Sequence, residues 1–131
     1  MNHELEFIQH FIISAKRDRY YSLLPSKKGR RKLLDGLNHA KDLDMRRAHP
    51  LPKNAQTVNH IETLLKRKGA STRCHLISSN EDLDGCEMLL RDALEQTVGH
   101  GSGTIISCIP GKLAYFEGEE QYERYILEST T

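Results

Sequence analysis

The spacing of apolar residues changes about halfway along this chain of 131 residues, and the change limits the folds open to it. Up to about residue 69, apolar side chains recur every three or four residues, which is typical of helices with one buried face. From residue 73 onward, short apolar runs lie between glycine and proline signals, which is typical of strands. The length suits one domain, so we expect a single domain over 1–131 with a helical half, 1–69, and a β-α-β-β half, 70–131.

Three helices are predicted in the first half. The first covers His3–Arg19, and the second covers about Ser26–Ala40, with a serine placed to cap its first turn. The two prolines of His49–Pro52 then interrupt the pattern and predict a linker. The third helix spans Asn54–Gly69, with the asparagine as its N-cap and the glycine as its C-terminal stop.

The second half predicts strands around one further helix. Asp84 followed by Glu87 resembles a capping box, so this helix is expected to begin at Asp84 and run to Val98. Pro110-Gly111 fits the centre of a type II turn between two strands. We therefore expect an α+β fold in which three N-terminal helices pack with a small mixed sheet. The predicted strands are Arg73–Ser78, Thr104–Ile109 and Lys112–Glu117, and Arg124–Glu128 fits either a strand or a short helix.

Positive and negative charges are unevenly distributed along the chain. Residues 1–70 contain 15 Lys and Arg against 7 Asp and Glu, whereas residues 71–131 contain 4 against 11. The formal net charge of +1 therefore conceals a basic half and an acidic half. A basic half suggests an anionic partner, and two oppositely charged halves also suit attraction within one molecule or between two molecules.

The densest cluster of positive charge lies at the start of the second predicted helix. Lys27-Lys28-Gly29-Arg30-Arg31-Lys32 places five cations in six residues. Clustered Lys and Arg bind phosphate groups by displacing counterions, and neighbouring tyrosines can stack on exposed bases. We therefore predict a small non-enzymatic cytoplasmic protein that contacts nucleic acid, with RNA favoured, through a basic N-terminal surface. The candidate nucleic-acid-binding residues are Arg17, Arg19, Tyr20, Tyr21, Lys27, Lys28, Arg30, Arg31 and Lys32.

Two other functions stay open on the sequence. Complementary basic and acidic halves suit a protein–protein interaction or regulatory module, including a homodimer. The acidic loop Asn80–Glu87 suits a divalent ion in an enzyme, because Mg²⁺ and Ca²⁺ bind carboxylate oxygens. As a calcium loop, however, it has Arg91 where a bidentate glutamate is needed. Helix capping explains the same acidic residues more simply, so no metal or cofactor is assigned.

Cysteine content and hydropathy indicate the cellular compartment in which the protein is expected. Cys74, Cys86 and Cys108 are an odd number and too few for a disulfide scaffold, so we expect buried thiols in a reducing cytoplasm. No apolar stretch approaches the length of a membrane span, and we expect neither a membrane partner nor a secretory leader. The glycine-rich segment 99–103 follows a predicted helix and precedes a strand, which is the reverse of a dinucleotide-binding turn, so it predicts a connecting loop.

Overall fold

Six strands form one antiparallel sheet in the computed structural model of this protein, which describes residues 2–129. Each described strand pairing is antiparallel, whereas the sequence predicts a mixed sheet. The α+β class itself is confirmed. Across the sheet the strand order is β1-β6-β5-β4-β2-β3. The strands are β1 Ala48–Pro50, β2 Arg73–Ser78, β3 Glu87–Leu89, β4 Thr104–Ile109, β5 Leu113–Glu117 and β6 Arg124–Glu128.

Helices cover both faces of this sheet. Three helices from the start of the chain lie on one face, and two later helices lie on the other. Short 3₁₀ turns at Ser14–Lys16, Asn38–Ala40 and Lys53–Ala55 connect these elements. The helices are α1 His3–Phe11, α2 Arg17–Leu23, α3 Lys27–Leu37, α4 Val58–Arg67 and α5 Leu90–Thr97. None of the helices described over 2–129 is both long and apolar enough to cross a bilayer.

The central strands are apolar on both faces because each face carries its own layer of helices. Successive side chains of a strand point to opposite faces, so β4 and β5 are buried almost throughout. Ile105 and Phe116 pack with α1, α2 and α3, whereas Ile106 and Tyr115 pack with α4 and α5. The fold therefore has two apolar cores that share one sheet.

The helix predicted over His3–Arg19 is broken in the structure. α1 ends at Phe11, and Ile12 adopts extended backbone to form an isolated β-bridge with Leu43. The amide of Ile13 also donates a hydrogen bond to the carbonyl oxygen of Asp42, at 2.9 Å. This pairing with a distant segment satisfies backbone groups that a continuous helix would have used, and α2 then begins separately.

The predicted linker and third helix also differ in detail. Within the predicted linker His49–Pro52, the first two residues belong to β1, which pairs with β6 at an edge of the sheet, where proline is tolerated. α4 begins at Val58, and the hydroxyl of Thr57 accepts its capping hydrogen bond. Asn54 is therefore not the N-cap and lies in a 3₁₀ turn. The C-terminal stop is confirmed, because Gly69 has a φ of 97°.

The helix predicted over Asp84–Val98 begins six residues later than expected. Residues 87–89 form β3, which pairs with β2, and α5 starts only at Leu90. Asp84 caps no helix, because its carboxylate accepts hydrogen bonds from the Ser78 amide and from Arg30. The apolar period predicts α5 correctly but gives no sign of the short hairpin before it.

Several local predictions are confirmed. The Ser26 hydroxyl caps α3 by accepting a hydrogen bond from the amide of Gly29, although α3 ends at Leu37. β2 and β4 have the predicted bounds, and residues 124–128, left open on the sequence, form a strand. In the β4–β5 turn, Gly111 has a φ of 70° and the Lys112 amide donates to the Ile109 carbonyl, as a type II turn requires.

Candidate functional site

Most of the predicted cations lie on the side of α3 that faces away from the core. Leu33, Leu34 and Leu37 are buried against α1, α2 and the sheet, so the opposite side of the helix meets solvent. The four exposed cations are three or four positions apart in two overlapping pairs, which places them on one side of the helix. We call this set the outer face of α3, and it consists of Lys27, Lys28, Arg31 and Lys32.

These four side chains are weakly tied to the rest of the protein. Arg31 lies 3.2 Å from Glu81, and both side chains are more than 60% exposed, so solvent screens that ion pair. Within residues 2–129 the structure shows no ion pair to the three lysines of the outer face of α3. Their charge is therefore available to a ligand.

Arg30 is on the same helix but is engaged inside the protein. Its guanidinium donates two hydrogen bonds of 2.7 Å to Glu4 on α1 and two of 2.8 and 3.0 Å to Asp84. These hydrogen bonds raise the pKa of Arg30, and its side chain is only 16% exposed. The prediction that Arg30 contacts phosphate is therefore not supported, because both edges of its fork are occupied by carboxylates.

The two predicted tyrosines have different environments. Tyr20 is 1% exposed, and its hydroxyl donates a 2.7 Å hydrogen bond to Asp42. It therefore presents no free ring face on which a base could stack in this conformation. Tyr21 is half-buried, and its hydroxyl donates to Gln9 at 2.8 Å. Part of the Tyr21 ring is still accessible.

The remaining predicted residues lie on α2. Arg17 is half-buried, and its Nε donates a 3.0 Å hydrogen bond to the carbonyl oxygen of Ile12. Arg19 is exposed. Arg19 is thus a solvent-facing cation on α2, whereas Arg17 helps to close the start of that helix.

A second polar region lies where α1 crosses one end of the sheet. His75 on β2 is directly opposite Glu87 on β3 and Ser107 on β4. Opposed residues of antiparallel strands share a face, and here it is the face that α1 to α3 cover. His3 and Glu4, in the first turn of α1, lie over this polar row.

The arrangement forms an open depression of about 440 Å³, which we call the His3–His75 depression. The imidazole rings of His3 and His75 are stacked, with centroids 5.5 Å apart and planes within 9° of parallel. His3 Nδ1 lies 2.7 Å from the Ser107 hydroxyl, and His75 Nε2 lies 2.8 Å from a carboxylate oxygen of Glu4. The depression is lined by Asn2, His3, Glu4, Arg30, His75, Asp84, Gly85 and Glu87.

Neighbouring charges and burial shift the pKa values of Glu4 and His3 in this depression. Burial alone would raise the pKa of Glu4, but hydrogen bonds from Arg30 and His75 outweigh burial and lower it to about 2. Because Glu4 is therefore ionised and can only accept, His75 carries its proton on Nε2 and presents a bare Nδ1 when neutral. Burial, together with the neighbouring His75, lowers the pKa of His3 from its ordinary value of 6.5. Two imidazoles with different environments can exchange protons with a ligand here.

The sequence gives no signal for the His3–His75 depression. His3 and Ser107 are 104 positions apart, and Glu4 and His75 are 71 apart. The histidines show no metal-ligand spacing, and the strands that align the polar row are far apart in the sequence. Only the register of β2, β3 and β4 combined with the position of α1 reveals the site.

The acidic side chains of the loop Asn80–Glu87 differ in their surroundings. Asp84 is paired with Arg30, and Asp82 is exposed and follows an Asn80 turn. Among residues 2–129, no group of three or more His, Cys, Asp or Glu side chains is arranged to hold a metal ion.

The basic and acidic halves meet within the molecule at a few points. Three ion pairs join Lys or Arg from residues 1–70 to acids from the second half, within the part of the chain that is described. Two involve α3, through Arg30 and Arg31, and the third joins Lys68 to Glu128 at 2.9 Å. The acidic half therefore neutralises Arg30 but leaves most of the outer face of α3 unpaired.

Comparison of the chain with protein-family models, curated proteins and solved structures gives no match.

Proposed function

We propose that this protein binds single-stranded nucleic acid, with RNA preferred, through the outer face of α3. The observation that carries the proposal is that Lys27, Lys28, Arg31 and Lys32 lie exposed together while the apolar side of the same helix anchors it to the core. A fixed row of cations at helical spacing can follow a phosphate backbone, because residues four apart are separated by about 6 Å.

RNA is preferred because its single strands expose bases and 2′-hydroxyls beside the phosphates. Tyr21 on α2, the helix that packs against α3, is an aromatic side chain that remains partly accessible, and Arg19 adds an exposed positive charge on the same helix. We place the protein in the cytoplasm, where its three cysteines, free in the described structure, stay reduced.

The test is the affinity for a labelled single-stranded RNA across a salt series. Each phosphate contact in a single strand contributes about 0.7 to the slope of log K against log salt concentration, so removing four contacts lowers that slope by about 2 to 3. The variant K27Q/K28Q/R31Q/K32Q is expected to show this loss for every RNA sequence, because phosphate contacts carry no sequence information.

The matched control removes four exposed cations from other surfaces of the molecule. K53Q/K66Q/R67Q/K112Q has the same net charge as the first variant but leaves the outer face of α3 intact. It should retain most of the affinity and the original slope. Equal losses in both variants would indicate attraction by net charge alone, and no binding at low salt would contradict the proposal and favour a protein partner.

A further inference from the structure

We infer that the His3–His75 depression is a catalytic site that cleaves RNA by attack of the 2′-hydroxyl on the adjacent phosphodiester. The inference rests on the proposed function, because α3 is the surface that would hold the strand. It gives the protein an activity beyond binding, and its participants are the two imidazoles that the fold brings together from opposite parts of the chain.

His75 has the geometry of a general base. The ionised Glu4 accepts the hydrogen bond from His75 Nε2 at 2.8 Å, which fixes the ring and leaves Nδ1 without a proton. The same carboxylate stabilises the imidazolium that forms when Nδ1 takes a proton. Glu4 thus acts through His75 and is a positioning residue. No described residue within 2–129 hydrogen-bonds to His75 Nδ1, and His75 lines the open depression, so this nitrogen is the one assigned to a substrate hydroxyl.

His3 has the geometry of the partner acid. In its protonated form it donates from Nδ1 to the Ser107 hydroxyl, at 2.7 Å, and keeps the Nε2 proton for a leaving group. Ser107 is 2% exposed, so it is too enclosed to attack a polymer and serves to orient the ring. The ring centroids lie 5.5 Å apart, so the two imidazoles are close enough to act on one phosphodiester.

The reaction balances with these two groups alone. The 2′-oxygen forms a bond to phosphorus while the bond from phosphorus to O5′ breaks. His75 Nδ1 takes the proton of the 2′-hydroxyl, and His3 Nε2 gives its proton to the departing O5′. The products are a 2′,3′-cyclic phosphate and a 5′-hydroxyl end, and a second proton exchange with water restores the starting protonation of both rings.

The strand can reach the depression from the outer face of α3. A smaller depression of about 130 Å³ adjoins it, with Arg30 and Asp84 forming walls of both. Lys27 and Arg31 line this smaller depression together with the Ser79 segment, so cations of α3 can hold a phosphate next to the histidines.

Charged groups face the two histidines from each neighbouring element. Glu4 on α1, Asp84 in the loop and Glu87 on β3 are negative, and Arg30 on α3 is positive but is already matched by two carboxylates. Glu87 opposes the approach of a phosphodiester, because like charges repel in a partly desolvated site. Glu87→Gln is therefore expected to lower KM for RNA, and to move the alkaline limb of the pH profile to lower pH, because the Glu87 carboxylate favours the protonated form of His3.

The experiment measures cleavage of a short mixed-sequence RNA in EDTA, and separately the binding of its 2′-O-methyl analogue, which has no free 2′-hydroxyl. The wild-type protein should release cyclic phosphate ends with a bell-shaped pH profile, because the base must be neutral and the acid protonated. His75→Gln and His3→Gln keep a polar side chain at each position, so they should bind the analogue normally while losing about 100-fold or more in rate.

Two further variants test the assignment of roles. Ser107→Ala should move the alkaline limb of the profile to lower pH, because the imidazolium of His3 loses its acceptor. His49→Ala and His60→Ala, at exposed positions away from the depression, should cleave as the wild type does. All proteins are purified by one route, so any contaminating ribonuclease is common to them.

The outcomes separate the two proposals. Binding of the analogue without cleavage of the RNA at any pH overturns the catalytic inference and leaves the proposed function intact. Cleavage that is equal in His3→Gln, His75→Gln and the wild type also overturns it, because the activity then comes from a contaminant. Failure to bind the analogue overturns the proposed function.

Discussion

Residues of the same type that are adjacent in the sequence can have different roles in the folded protein. Arg30 and Arg31 are neighbours in one basic run, yet Arg30 joins α1, α3 and the loop before β3, whereas Arg31 faces solvent. The difference arises because the helical repeat turns Arg30 toward Glu4, 26 positions away, and Asp84, 54 positions away. A count of charges cannot separate these two arginines.

Glu4 makes the stability of the protein depend on acidity. Its pKa is about 2 in the folded protein and about 4.5 in a solvated chain, so the unfolded state binds its proton more readily. The stability that it contributes is fully present above about pH 4.5 and is lost as pH falls toward about 2. Urea midpoints measured across this range should fall in the wild type and fall less in Glu4→Gln. An equal pH dependence in the two proteins would contradict the assignment of the shift to Glu4.

Helices and strands can be predicted where their bounds depend on residues that are close together in the sequence. The N-cap of α3 and the bounds of β2 and β4 follow from local signals, and the structure confirms them. Prediction fails where distant pairing overrides the local period, as at Ile12, which leaves the helix to pair with Leu43. Short strands such as β1 and β3 carry too few residues to show a period, so their existence depends on their partners.

The packing of α2 against α3 depends on the absence of a side chain at Gly29. A Cβ at this position would lie 2.1 Å from the carbonyl oxygen of Leu23, which is backbone and has little room to move. Alanine would normally stabilise a helix interior by about 1 kcal/mol over glycine. Here Gly29→Ala should instead destabilise the protein by about 1 to 3 kcal/mol, because the two helices must separate.

The measurement is urea unfolding at neutral pH, with Lys28→Ala as the control on the exposed side of the same helix. Lys28→Ala should change the free energy of unfolding by no more than about 0.5 kcal/mol, because it removes no buried contact. A Gly29→Ala variant as stable as the wild type would show that α2 can shift without loss.

At the scale of the whole molecule, the two apolar cores share one sheet. Each layer of helices therefore packs on strands that also support the other layer. If the chain is the single domain expected from its length, both layers of helices should therefore unfold in one cooperative transition. The sequence predicts α1 and α2 as one continuous helix, predicts α3 with its basic run, and does not reveal that α4 packs on the opposite face of the sheet. It could not predict the His3–His75 depression, which exists only where the first turn of α1 meets the ends of three strands.

Leu33→Ala and Leu65→Ala probe the two cores separately. Both side chains are fully buried: Leu33 projects from α3 into one core and Leu65 projects from α4 into the other. Each substitution should lower the free energy of unfolding by about 2 to 5 kcal/mol. If one cooperative unit holds both layers, each variant lowers a single transition, and far-UV and near-UV circular dichroism report the same midpoint. Two transitions, each sensitive to one of the variants, would divide the chain into separately folding parts.

The position of β6 between β1 and β5 has a consequence for synthesis on the ribosome. Among the described strands, β1 is made early but pairs with β6, which follows the other five in the sequence, and β5 also has its second edge open until β6 is in place. A nascent chain that has not yet released Glu128 from the exit tunnel therefore carries two unpaired strand edges. Pausing of translation within this last stretch should expose the growing protein to aggregation or chaperone capture, whereas pausing near residue 40 should not.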